Sequence, residues 1–264
     1  MIWNQINFFS DLLASRCTLN VLLPQNRPVE PGNNYHPPFR VLYLLHGYSD
    51  DQTAWQRWSS VECYAEDLNL AVVMPAVQNS FYSDMAHGGK FFTYVTEEVP
   101  ALVHEIFPLS TERADTFVAG LSMGGYGAFK LALTRPDLYA AAASLSGALD
   151  ISEVVNAHGD RDDQFWLESM RNNFGDLDKV PGGPHDLFAL AKKASISAIK
   201  PRLYQFCGTE DFLYADNLRF RDAIRPLGFD YTYAETPGDH KWIYWDQQIQ
   251  KVLAWLPLRP TPQP

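Results

Sequence analysis

The stretch Gly120-Leu121-Ser122-Met123-Gly124-Gly125 leaves this chain few ways to fold. A strand-like run, Asp115-Thr116-Phe117-Val118-Ala119, precedes it, and a helix-like run, Tyr126 to Leu133, follows it and stops near Arg135-Pro136. Strand, tight turn and helix around G-x-S-x-G are the context of a nucleophile elbow. A serine on so sharp a turn takes strained backbone angles, so the residues two before and two after it must be small. Gly120 and Gly124 meet that demand. The helix that begins at once points unpaired N–H groups and its positive dipole end toward the serine. The N–H of Met123 is then a candidate donor to an oxyanion.

The rest of the chain supplies the sheet such an elbow needs. Residues 17–24 read as a first strand near a sheet edge, ended by Pro24, before a Pro/Gly/Asn-rich loop that reaches Pro38. Phe39 to Leu45 is a nearly continuous apolar run, the mark of a strand covered on both faces, and Leu70 to Pro75 reads as another short buried strand. Ala140 to Gly147, Arg202 to Cys207 and Tyr231 to Ala234 read as further strands. Helices are expected over Trp55 to Leu68, Phe92 to Phe107, Ala215 to Ile224 and Ile243 to Leu256. Strands alternating with helices predict an α/β fold, a mostly parallel central sheet with helices on both faces. From about 148 to 197 the period-2 signal disappears, which suggests a small helical insertion over the site, cap-like and too short to fold alone. The whole of 1–264 then reads as one domain, with a proline-rich tail at 257–264.

Composition excludes several function classes. A formal net charge of -10 and the absence of a Lys/Arg cluster of about five or more argue against nucleic acid as a partner. No apolar run reaches the roughly 18 residues of a membrane span, and Met1 to Ile6 carries no basic leader, so a cytoplasmic protein without membrane association is expected. Cys17, Cys63 and Cys207 are too widely spaced for a disulfide scaffold and read as reduced, buried small hydrophobes. No H-E-x-x-H, P-loop or dinucleotide glycine pattern occurs, so neither metal nor cofactor is expected.

Nucleophilic chemistry remains. Ser122, Asp211 and His240 follow one another in the order Ser, acid, His, and each lies just past an expected strand. The C-terminal ends of parallel strands share one sheet edge, so residues distant in sequence can meet there. Glu210 competes with Asp211 by order alone; His46 belongs to a strand-end loop, where a structural role is the better reading. His46-Gly47-Tyr48 ends an apolar strand, and the Tyr48 N–H is a candidate second oxyanion donor. Trp55, Trp58, Phe81, Tyr82 and Trp166 cluster near expected strand ends and are candidate pocket walls, with Trp55, Tyr82 and Trp166 the substrate-binding choices.

Four segments together, Ala119 to Ala128, His46 to Asp50 with Trp55, Cys207 to Leu213, and Gly238 to Trp242, resemble the esterase D-like branch of the α/β-hydrolases, closest to the tributyrin esterase (acetylesterase) group. The likeness runs from about residue 5 to 256. It implies an α/β-hydrolase fold and hydrolysis of a small-molecule ester with a short acyl group through an acyl-enzyme. It also implies no cofactor, Ser122/Asp211/His240 as triad, and backbone donors at Tyr48 and Met123. Leu121 stands where S-formylglutathione hydrolases usually carry His, and the export signal of mycolyltransferases is not visible. Thioester hydrolysis or acyl transfer on the same triad, and a silent scaffold used for binding, are the alternatives. A homo-oligomer is left open.

Overall fold

The computed structural model describes residues 1–25, 37–157 and 164–258. Its strands are β1 (Ile2–Ser10), β2 (Ser15–Leu23), β3 (Arg40–Leu45), β4 (Leu70–Pro75), β5 (Thr116–Leu121), β6 (Ala141–Leu145), β7 (Arg202–Gly208) and β8 (Tyr231–Thr236). They form one sheet in the order β1-β2-β4-β3-β5-β6-β7-β8. From β4 to β8 every pairing is parallel, while β1 and β2 add an antiparallel edge. The α/β expectation of a mostly parallel sheet covered on both faces therefore holds. Alternate residues of one strand enter opposite cores: Val41, Tyr43 and Leu45 pack on one side of β3, and Leu42 and Leu44 on the other.

The helices are α1 (Ala54–Trp58), α2 (Val61–Ala65), α3 (Phe91–Thr93), α4 (Val99–Ile106), α5 (Met123–Thr134), α6 (Ile151–Ala157), α7 (Gln164–Phe174), α8 (Leu187–Ser195), α9 (Tyr214–Ile224) and α10 (Trp242–Trp255). Residues of α4, α5, α8 and α9 fill one core, and those of α1, α2 and α10 the other. The alanines of β6 let α5 lie close to the sheet: Ala142 faces its core, while Ala141 and Ala143 face the opposite one.

Several expectations need correction. The first strand is β1, at Ile2–Ser10, ahead of the strand expected at 17–24. It pairs with β2 alone and leaves Trp3 and Phe9 exposed, so its apolar residues do not mark a single buried face. The helix expected over 55–68 is two short ones, because Ser59 is extended and breaks the turn. The helix expected over 92–107 is α3 and α4 joined by a π-helical turn, Tyr94–Glu98. Pro100, which cannot donate a backbone hydrogen bond, follows that turn directly. Cys207 is buried as expected, but Cys17 is half-buried and Cys63 exposed; all three are free. Of the 257–264 tail, residues 259 onward lie outside the described residues, as do 158–163 within the 148–197 segment.

The register sets the site. Leu45 of β3 pairs with Gly120 of β5, Leu121 with Leu145 of β6, and Leu145 with Phe206 of β7. The loops leaving β3, β5, β7 and β8 thus start at one edge, and they carry His46 to Tyr48, Ser122, Asp211 and His240.

Candidate active site

Ser122 joins β5 to α5 with φ 52° and ψ -118°, a conformation an L-residue holds only when its surroundings impose it. They do so here. The Ser122 N–H donates to the Leu145 carbonyl at 2.9 Å, and the Ser122 carbonyl accepts from Tyr126 N–H at 3.1 Å and Ala148 N–H at 3.2 Å. A Cβ on Gly120 would collide with the backbone of Gly124, and one on Gly124 would lie 2.5 Å from the Leu45 carbonyl and 2.6 Å from that of His46. The two small residues demanded by the sequence spacing are where the turn closes.

His240 Nε2 lies 3.0 Å from Ser122 Oγ, and its Nδ1 lies 2.8 Å from Asp211 Oδ2. The Asp211 side chain is fully buried, and its Oδ1 also accepts from the Leu213 N–H at 2.9 Å. With Nδ1–H donating to a carboxylate, the ring presents its Nε2 lone pair to the serine hydroxyl. Glu210 points elsewhere, accepting from the Gly238 N–H and, at 2.8 Å, from the Thr209 hydroxyl. Those two hydrogen bonds hold its carboxyl below the ordinary range. Glu210 therefore ties down the loop that carries His240 without touching the ring.

The loop after β3 lies against the nucleophile: a Cβ on Gly47 would stand 3.7 Å from Ser122 Cβ. Neither the Tyr48 N–H nor the Met123 N–H has a hydrogen-bond partner among the described residues, so both donors proposed from the sequence are free to act. His46 is buried, its Nδ1–H donating to the Gly47 carbonyl at 2.8 Å and its Nε2 accepting from the Val77 N–H at 3.1 Å. Burial pushes its imidazole down to about 4, which keeps it neutral in that clamp. Its role is structural, as expected.

Two expected wall residues are supports instead. Trp55 is 1% exposed and Tyr82 0%, so neither offers surface to a substrate. Trp55 Nε1 donates to the Leu45 carbonyl at 3.0 Å, and the Tyr82 hydroxyl to the His46 carbonyl at 2.9 Å. These are the carbonyls that Gly124 approaches, so both side chains fix the strand end from which the Gly47-Tyr48 turn departs. A sequence places aromatic residues near a strand end without saying which side of the backbone they occupy. Phe81 is also buried, and Trp58 is exposed on α1. Trp166, on α7, is half-buried with its ring 5.3 Å from that of Tyr48, whose hydroxyl lies 3.1 Å from Ser169 Oγ. The 148–197 segment thus reaches the loop after β3 through Trp166 and Ser169.

Side chains that the motif reading passed over surround His240. The exposed ring of Phe212 lies 4.5 Å from the imidazole, and Trp245 of α10 stands edge-on to it at 4.8 Å. Trp245 is itself held by Nε1 donating to Ser146 Oγ at 3.1 Å. Next to Asp211 in the chain, Leu213 is buried and donates its N–H to the carboxylate, whereas Phe212 lies against the histidine. Their adjacency to Asp211 and His240 in sequence was the available signal.

The strand order agrees with what comparison with known proteins finds. Residues 10–256 match the model of the Esterase family, described as Putative esterase. The chain belongs to this esterase family. Acetyl esterase of Caldicellulosiruptor saccharolyticus is 32% identical over 266 residues, covering 96% of this chain and 97% of that protein. Among solved structures, the fluorophosphonate-binding serine hydrolase FphF of Staphylococcus aureus is 37% identical with a TM-score of 0.86, covering 97% of this chain and 98% of that one. S-formylglutathione hydrolase FrmB of the same organism is 38% identical with a TM-score of 0.83, at the same coverage. The chain is a serine hydrolase with an α/β-hydrolase fold, and the resemblance to the esterase D-like branch holds. Overall likeness does not separate the esterase from the S-formylglutathione hydrolase alternative, since the chain matches FrmB as well as it matches FphF. Among the described residues no His/Cys/Asp/Glu group is placed to hold a metal ion, and no helix is long and apolar enough to cross a membrane.

Proposed function

We propose that the esterase hydrolyses short-chain acyl esters, with Ser122 as nucleophile, His240 as general base and acid, and Asp211 orienting the imidazole. The observation that carries this is the unbroken contact from Ser122 Oγ through both ring nitrogens of His240 to the buried Asp211 carboxylate. His240 takes the Ser122 proton as Oγ attacks the acyl carbon, and the oxyanion is received by the N–H groups of Tyr48 and Met123. The proton passes to the leaving alcohol, the acyl-enzyme forms, and water repeats the sequence to release the acid. No step asks for a cofactor or metal. The partner is a small ester, and the site of action is the cytoplasm.

The short-chain reading rests on the half-buried rings of Tyr48 and Trp166 beside the oxyanion loop, and on the acetyl esterase relative. A panel of p-nitrophenyl esters tests it. Each methylene that fits adds up to about 0.8 kcal/mol to transition-state binding, and kcat/KM peaks at about two to four carbons before falling. A steady rise through ten carbons defeats the assignment. Running matched thioesters alongside decides whether the oxygen ester or the sulfur ester is the better substrate, which the likeness to FrmB makes worth asking.

The same mechanism fixes a pH dependence. A base that takes the Ser122 proton must itself be unprotonated, so kcat/KM declines in acid. A profile that stays flat down to about pH 4.5 takes the imidazole out of the reaction.

A further inference from the structure

About two turns along α5 from Ser122, roughly 12 Å down the helix, stands Lys130. It is 4% exposed and has no carboxylate at ion-pair distance among the described residues. Its ammonium donates to Ser83 Oγ and, at 3.0 Å, to His185 Nδ1, and it lies 5.5 Å from the ring centre of Tyr126 and 5.9 Å from that of Phe92. Asp84 attracts it from farther away, with its carboxylate already accepting from the Thr93 N–H at 2.9 Å and the Thr93 hydroxyl at 2.7 Å. The lysine forms one wall of a cavity of about 680 Å³, with Phe92, Pro184, Ala189 and Leu190 among its apolar walls and the exposed Lys193 at its edge. Ser122, Asp211, His240 and Tyr48 take no part in that lining.

We propose that this cavity is a second binding site, for a monocarboxylate with a short apolar body whose carboxylate pairs with Lys130. The groups at hydrogen-bond distance from the buried ammonium are neutral, and the Asp84 carboxylate that attracts it is exposed and bonded to Thr93, so the open side of the cavity is where a closer counter-charge can arrive. The apolar walls suit an organic body better than a naked ion. A multiply charged anion would find only two lysines, an opposing carboxylate in Asp84 and, in His185 Nδ1, an acceptor already used. A cation would be repelled. The site is independent of the ester chemistry, because it shares α5 with Ser122 but no lining residue.

The groups facing Lys130 set the protonic signature of binding. They are Asp84 from the loop after β4, Tyr126 from α5, His185 from the turn before α8, and Lys193 from α8. Burial lowers the Lys130 ammonium to about 7. His185 is lowered to about 4, by burial first and then by Lys130, so it stays neutral at pH 7. An anion beside Lys130 raises the folded-state affinity of that amine for its proton, so binding at pH 7 takes up protons from the buffer.

Calorimetric titration with sodium hexanoate at pH 7, in two buffers of different ionisation enthalpy, tests the proposal. Saturable binding with net proton uptake is expected, with hexanamide at least about tenfold weaker. Lys130→Met keeps the volume, removes a buried charge, and should weaken hexanoate at least about tenfold while ester turnover stays within about twofold. Should that variant fail to fold, Ala189→Trp fills the cavity without touching the amine and should abolish the same binding. No saturation below about 50 mM, equal binding of hexanamide, retention of hexanoate by the variants, or effective competition by inorganic phosphate would each overturn the assignment.

Discussion

Ser122→Ala removes ester turnover and leaves the fold in place. The only hydrogen bond of Ser122 Oγ among the described residues is to His240, whereas the strained turn is held by backbone bonds to Leu145, Tyr126 and Ala148 that alanine keeps. Loss of the nucleophile leaves at best what the oxyanion donors and binding provide, so kcat should fall at least about 10³-fold. The thermal midpoint should stay within a few degrees of the parent, roughly the range of a substitution that creates no cavity and strands no buried partner. Fluorophosphonate labelling of the parent at one equivalent, with none on the variant, ties the loss to this oxygen. A variant that keeps more than about one part in a thousand of the activity while correctly folded points to another nucleophile.

The parts of this molecule that were legible in the sequence are those where one residue type is forced by one local geometry. Gly120 and Gly124 could be read because a Cβ at either would meet backbone, and backbone cannot move aside. The parallel strands β3 and β4 could be read because burial on both faces leaves apolar residues at every position of β4 and at every position of β3 after Arg40. The order Ser122, Asp211, His240 could be read because the strand ends share an edge. What could not be read is set by orientation. Trp55 and Tyr82 lie close to the site in chain position, yet their rings turn beneath it and spend their polar atoms on the Leu45 and His46 carbonyls. Strand β1 was invisible for a related reason: its burial alternates, but Trp3 and Phe9 put apolar side chains on the exposed face while Ile6 and Phe8 face the core, so the sequence shows no alternation. Trp245 escaped notice because helical spacing marks it as core, and it is core; that its edge also meets His240 depends on how α10 crosses the sheet.

Asp211→Asn should lower kcat by up to about 10⁴-fold with KM little changed, while the neighbouring Glu210→Gln should cost less than about tenfold. The contrast follows from what each carboxylate touches. Asp211 accepts from the Leu213 N–H on Oδ1 and from His240 Nδ1 most closely on Oδ2, at 2.8 Å, with Oδ1 3.0 Å from the same nitrogen. In the amide, the oxygen stays with Leu213 and the NH₂ turns to the ring, so Nδ1 must become the acceptor and the proton moves to Nε2. An imidazole with Nε2–H has no lone pair for the Ser122 hydroxyl, and it remains in place while failing as a base. Glu210 holds only the Gly238 N–H and the Thr209 hydroxyl, and a glutamine oxygen can accept from Gly238 as the carboxylate does. Its loss of charge loosens the His240 loop slightly without altering the tautomer. Steady-state kinetics on both variants, with circular dichroism to establish folding, separates these outcomes. If the two exchange phenotypes, Glu210 is the acid and the buried contact between Asp211 and His240 is structural, although the pairing of Ser122 with His240 would stand.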